Sequence, residues 1–191
     1  MIQTLFKSED WKSSLLITVV IACCYAGAIQ LNNLVLFNWL EFDRGRFLVF
    51  VPAGLKFLLL MCLRGAAVPG LILGITVACR GMFPELSLVG CLAMGLGLTL
   101  SAVLAIAGAT RLLRVSFPWT QIHKGQLLAL LAVMALADAL ASQWLLTALQ
   151  LDTAEGFLRE VGQGALGRMM GSILVLAAFV WLRRGAQPNL S

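Results

Sequence analysis

Six stretches of this 191-residue chain are apolar enough to cross or enter a bilayer, and little sequence remains between them. They run over about 13–31, 47–63, 66–79, 86–109, 126–149 and 164–182. Apolar runs of about 17–25 residues mark transmembrane helices, whereas a membrane barrel shows alternation over about 10 residues; that alternation is missing here. Hydrophobic residues make up 60% of the chain and charged ones only 12%, against about 25% charged in a soluble domain. The expected fold is all-α: a polytopic membrane helical bundle of about six transmembrane helices, forming a single integral membrane domain over 1–191. No soluble domain is expected.

The first span follows the polar start Lys7-Ser8-Glu9-Asp10-Trp11-Lys12, with Trp11 at interface depth. That start is too long and too acidic for a signal peptide, and the span is long and lacks a convincing A-x-A cleavage site, so it should be retained. A second apolar patch, Leu34 to Leu40, either extends this span or lies in the interface. The Arg64-Gly65 pair makes a tight turn between the second and third spans. The third has only 14 residues and rises about 21 Å, short of the roughly 30 Å hydrocarbon core. Either Arg64 and Arg80 snorkel from its ends to complete a crossing, or the segment is a re-entrant hairpin.

Basic residues orient the bundle. With both termini in the cytoplasm, the inner segments hold Lys7, Lys12, Arg64, Arg111, Arg114, Lys124, Arg183 and Arg184, and the outer ones hold Arg44, Arg46, Arg80 and Arg159. Eight against four favours this layout by the positive-inside rule. The net charge of +5 is therefore mostly topological. A nucleic-acid interface would need a solvated basic face with stacking aromatics, and the sequence has none.

Small residues recur at helical spacing: Ala93, Gly97, Ser101 and Ala105 in the fourth span, Gly70 and Gly74 in the third, and Gly164, Gly167 and Gly171 in the sixth. In lipid, packing rather than hydrophobicity drives helix association, and small residues let backbones approach. These seams serve either internal packing or a dimer face.

Lys56, Asp138 and Arg168 lie within the apolar spans. A charge in hydrocarbon costs at least about 2.5–3.5 kcal/mol and usually faces the protein interior with a partner. Lys56 and Asp138 share similar depth, which makes an ion pair geometrically reasonable. Arg168 is placed about one turn inside the outer end of the sixth span, on a face with Gly164, Gly171 and Ser172. The three are candidates for ligand or partner binding or for a proton relay, and equally for a structural ion pair. A guanidinium among glycines could hold a carboxylate or phosphate in two parallel hydrogen bonds; the competing account is a bridge to Asp138 or Glu160. Gln30, Asn32, Asn33, Gln143 and Gln163 could extend a polar pocket toward the outer leaflet.

Enzyme chemistry finds little support. His123 falls in a basic loop after Trp119, as a solvated residue. Cys23, Cys24, Cys62, Cys79 and Cys91 are scattered through apolar spans without C-x-x-C spacing, where cysteine behaves as a small hydrophobe. No catalytic residue, metal site or cofactor is expected, and no P-loop, GxSxG or HExxH pattern occurs.

The stretch Phe50-Val51-Pro52-Ala53-Gly54-Leu55, an apolar run, and Arg64-Gly65-Ala66-Ala67-Val68-Pro69-Gly70-Leu71-Ile72-Leu73-Gly74 resembles the opening of the membrane-associated sensor domain of the first class. The similarity continues more loosely through Gly95 to Arg111. Where that family shows Gly-Asp-x-x-Gly, this chain reads Gly167-Arg168-Met169-Met170-Gly171, a base in place of the acid. The resemblance implies a bacterial inner-membrane input domain that senses a small-molecule signal and acts through a separate membrane or cytoplasmic protein partner. Two alternatives stand beside it. One is a substrate-binding membrane subunit of a small-molecule transporter, docked through small residues on spans three and four. The other is an accessory subunit of a larger membrane complex.

Overall fold

A computed structural model describes residues 11–36, 41–43, 46–115, 122–153 and 155–185. The helices are α1 (Trp11–Leu31), α2 (Val51–Leu63), α3 (Ala67–Met82), α4 (Leu88–Leu112), α5 (Lys124–Ala148) and α6 (Phe157–Gly185). Asn32–Leu36 prolongs α1 as a π-helical turn, so the second apolar patch begins as an extension of the first span; residues 37–40 lie outside the described residues. A short antiparallel ribbon pairs β1 (Glu41–Asp43) with β2 (Arg46–Phe47). The described residues are otherwise helices and their connections.

Five helical stretches are long and apolar enough to cross a membrane: Trp11–Leu34, Val51–Met82, Leu88–Leu112, Lys124–Ala148 and Phe157–Arg183. The six expected spans become five because α2 and α3 reach that length only together. Alone, 13 and 16 residues rise about 20 and 24 Å. The 3-10 turn Arg64–Ala66 joins them, with Arg64 in the left-handed region at φ 52°.

Close contacts fix the running sense of each helix. Gly70 meets Ile21 and the Thr18 carbonyl while Gly74 meets Tyr25 and the Ala22 carbonyl, so α1 and α3 run parallel. Gly95 meets Ile72 and Thr76 across an antiparallel α3–α4 pair. Gln126 donates to the Leu113 carbonyl and Ser101 to Asp138, which sets α5 antiparallel to α4. Gly164 opposite Ala139, with Gln143 hydrogen-bonded to Glu160, reverses the chain again into α6. Finally, Gly54 lies on Ser172 and Val175 while Phe50 donates to the Gly167 carbonyl, so α2 runs with α6 and against α3. The turn at Arg64 therefore reverses the chain. The start of α1 and the end of α6 lie at one end of the bundle.

Helix boundaries follow local chemistry. Ser87 caps α4 by accepting from the Gly90 amide at 3.1 Å, one of the donors a helix start leaves unpaired. His123, expected as a loop residue, precedes the first residue of α5, and its amide donates to Gln126 Oε1 at 3.0 Å. Helix α6 begins at Phe157, seven residues before the apolar run. Its polar first turns remain helical because Glu160 faces Gln143 on α5.

One apolar cluster joins Ile21, Tyr25, Phe57, Leu71, Leu130, Leu131 and Met134; a second, at the end opposite the termini, joins Cys79, Phe83, Leu86, Cys91, Met94, Leu145 and Leu146. Leu16, Val77, Leu104, Trp144 and Trp181, on five different helices, are all exposed. Large apolar surface on every side is unfavourable in water and suited to lipid.

Candidate functional site

Asp138 is the node at which the three charges of the apolar helices meet. It occupies the middle of α5 and is buried, as is Lys56 on α2. Lys56 Nζ stands 2.5 Å from Asp138 Oδ1, and Arg168 Nε lies 3.3 Å from Asp138 Oδ2. One carboxylate thus binds two cations that belong to two different helices. The expected Lys56–Asp138 pair forms, and Arg168 bridges to Asp138 rather than to Glu160.

Neighbouring groups complete the geometry. Lys56 Nζ also donates to the Leu98 carbonyl at 3.4 Å, and Ser101 Oγ donates to Asp138 Oδ1 at 3.4 Å. Arg168 Nη1 donates to the Gly164 carbonyl at 3.1 Å. Its guanidinium carbon lies 5.7 Å from the centre of the Phe50 ring, within range of a cation–π contact. Ser172 Oγ donates back to the Arg168 carbonyl at 2.7 Å. Tyr25, 2% exposed, lies within electrostatic reach of both Asp138 and Arg168.

Because α6 starts at Phe157, Arg168 is its twelfth residue, about three turns from the helix start and about one turn into the apolar run from Gly164. The surrounding glycines also have another role than leaving open space. A Cβ at Gly167 or Gly171 would strike the carbonyl oxygens of Phe47 and Phe50, and one at Gly164 would meet the Arg168 guanidinium. The glycine face of α6 therefore receives the chain leading into α2.

That entry is built with unusual partners. Phe50 N donates to the Gly167 carbonyl at 2.9 Å, and Val51 N donates to Asn32 Oδ1 at 3.0 Å. Asn32, at the end of α1, supplies a cap for a helix elsewhere in the chain. Pro52 falls in the first turn of α2, where a missing amide costs nothing and its fixed φ suits a helix. The Phe50-Val51-Pro52-Ala53-Gly54 motif thus starts a helix and packs it on α6.

The other amides divide. Gln143 is buried and donates to Asp152 Oδ2 at 2.9 Å as well as to Glu160. Asn33 donates to Met82 Sδ at 3.2 Å. Gln30 lies beside Gly81, and none of these amides touches Asp138 in the contacts above.

Sequence reasoning missed Tyr25, Phe50, Asn32 as a cap, and Ser101 as a carboxylate partner. Tyr25 had a signal: it is the one tyrosine of the chain and falls in an apolar span. Ser101 had a weaker one, as the one hydroxyl in the Ala93-Gly97-Ser101-Ala105 row.

No family model, curated protein or solved structure matches this chain.

Proposed function

We propose that this chain is a non-enzymatic, multi-pass protein of a bacterial cytoplasmic membrane, with both termini cytoplasmic, that responds to a small signal and acts through a separate protein partner. The observation that carries this reading is the sharing of Asp138 between Lys56 of α2 and Arg168 of α6. A sensor needs an element with two arrangements whose balance a small change can tip. Neutralising or engaging this one carboxylate removes the counter-charge of two helices together. Helix α2 is short, held at its start by Gly167 and Asn32, and tethered near its middle by Lys56. Release of that tether frees its far end, where Leu63 and the Arg64 turn lie exposed. This end lies toward the chain termini, on the side where a cytoplasmic partner would meet it. In this layout α2 and α3 enter and leave as a hairpin, and six membrane segments return the chain to its starting side.

The transporter-subunit alternative needs a docking seam of small residues on α3 and α4. Gly70, Gly74 and Gly95 are taken up by contacts between α1, α3 and α4. The accessory-subunit alternative keeps no specific observation in its favour.

Native purification with mass spectrometry, followed by assay of the copurifying enzyme, tests the proposal. A signalling enzyme should copurify, and its activity should shift in Asp138→Asn and Arg168→Gln variants that remain monodisperse. Copurifying transport ATPases with a retained ligand would overturn the proposal. So would a signalling partner whose activity ignores both substitutions.

A further inference from the structure

Cys79 and Cys91 come together although eleven residues separate them and no C-x-x-C motif marks them. Cys79 lies three residues before the end of α3, and Cys91 is the fourth residue of α4. Both are buried in the apolar cluster with Phe83, Leu86, Met94, Leu145 and Leu146, at 5% and 0% exposure. Gly95 on α4 meets Thr76 on α3 about one turn away on each helix, so Cys79 and Cys91 occupy the same level of the antiparallel hairpin. The remaining cysteines, Cys23, Cys24 and Cys62, are exposed on helix faces.

Hydrogen bonds also order the intervening chain. Phe83 N donates to the Cys79 carbonyl at 2.8 Å, and Cys91 N donates to the Ser87 carbonyl at 3.0 Å. Arg80 reaches across the turn to the carbonyls of Pro84 and Leu86, at 3.1 and 2.5 Å. These hydrogen bonds hold the turn that joins α3 to α4.

We propose that Cys79 and Cys91 form an oxidisable dithiol, closing to a disulfide that locks the α3–α4 hairpin. The oxidant is a disulfide, either a small molecule or a thiol–disulfide oxidoreductase. Cys79, the more accessible of the two, gives up its thiol proton as its sulfur attacks one sulfur of the oxidant and expels the other as a thiolate, leaving a mixed disulfide. The thiolate of Cys91 then attacks Cys79 Sγ, forms the intramolecular S–S bond and expels the oxidant's second thiolate. Two electrons pass to the oxidant, whose two sulfurs leave as thiols carrying the two protons lost by the cysteines. The pair lies at the end opposite both termini, which the basic-residue count places outside the cytoplasm, where disulfides form and persist. This placement rests on the cytoplasmic termini of the proposed function, while the pair itself shares no residue with the Asp138 cluster.

The test uses the full chain in membranes isolated without reductant, quenched in acid, denatured and alkylated. Cleavage after Arg64, Arg80 and Arg111 places Cys79 in peptide 65–80 and Cys91 in peptide 81–111. The two peptides should appear as one species, lighter than their sum by two hydrogens, that separates on reduction. Cys23, Cys24 and Cys62 should carry the alkyl label. A parallel sample of detergent-purified protein is treated with oxidised glutathione, and a Cys91→Ser variant should leave peptide 65–80 alkylated and alone. Linkage in either wild-type sample supports the dithiol. Complete alkylation of Cys79 and Cys91 in both samples overturns it.

Discussion

Lys56 and Asp138 stand 82 residues apart in sequence and 2.5 Å apart in the bundle. The pair is only half of the electrostatic arrangement, because Arg168 takes the other carboxylate oxygen at 3.3 Å. Two cations on one anion make the three residues unequal. Removing Lys56 leaves a balanced Asp138–Arg168 pair, whereas removing Asp138 leaves two cations facing each other. Breaking a buried pair costs about 3–5 kcal/mol.

Asp138→Leu is therefore expected to destabilise by about that amount, and Lys56→Met by less. The double variant should be more stable than Asp138→Leu alone, since it strands one cation rather than two. Thermal melts in detergent read the order directly. Strictly additive losses would show that Lys56 and Asp138 do not interact.

Gly171→Ala should be poorly tolerated, because its Cβ would meet the Phe50 carbonyl and the Val51 amide, both backbone groups. Overpacking of this kind costs about 1–3 kcal/mol. Gly162 and Gly108 have open space at the same position, so alanine there should be neutral or stabilise by up to about 1 kcal/mol. Equal melting temperatures for Gly171→Ala and Gly162→Ala would contradict the close approach of the chain to α6.

Asn32→Ala removes the acceptor of the Val51 amide. A lost cap costs about 1 kcal/mol, here offset in part because Asn32 Nδ2 is buried without a partner. Hydrogen exchange should rise in the first turn of α2, while the first turn of α4, capped by Ser87, stays unchanged. Equal protection of α2 in wild type and variant would remove Asn32 from its capping role.

Reporters fused after Ser191 and inserted within 152–156 should report opposite sides of the membrane. A cysteine placed at Gly65 should react with an impermeant maleimide from the side that carries the termini. Reporters on one side would break the layout. Labelling of position 65 from the opposite face would break the reversal at Arg64.

The sequence alone determines the class of object. An apolar run of 19 to 24 residues must satisfy its backbone internally in lipid, and a helix does so without help from the rest of the chain. For that reason α1, α4 and α5 appear close to their expected bounds, and the cost of charge in hydrocarbon singled out Lys56, Asp138 and Arg168 before any contact was known. Local pattern gave less control over α2 and α3. Their lengths fall below one crossing, so direction depends on which helices they pack against, as the contacts of Gly54 on α6 and Gly70 on α1 show. The same limit applies to the site. Periodicity could place Arg168 on a glycine face, yet whether those glycines leave a cavity or admit a backbone depends on residues 47–50, more than 100 positions away. Tertiary structure also decided that Asp138 holds two partners and that Cys79 meets Cys91. Such pairings arise from helix register across the bundle, a quantity that no single helix encodes.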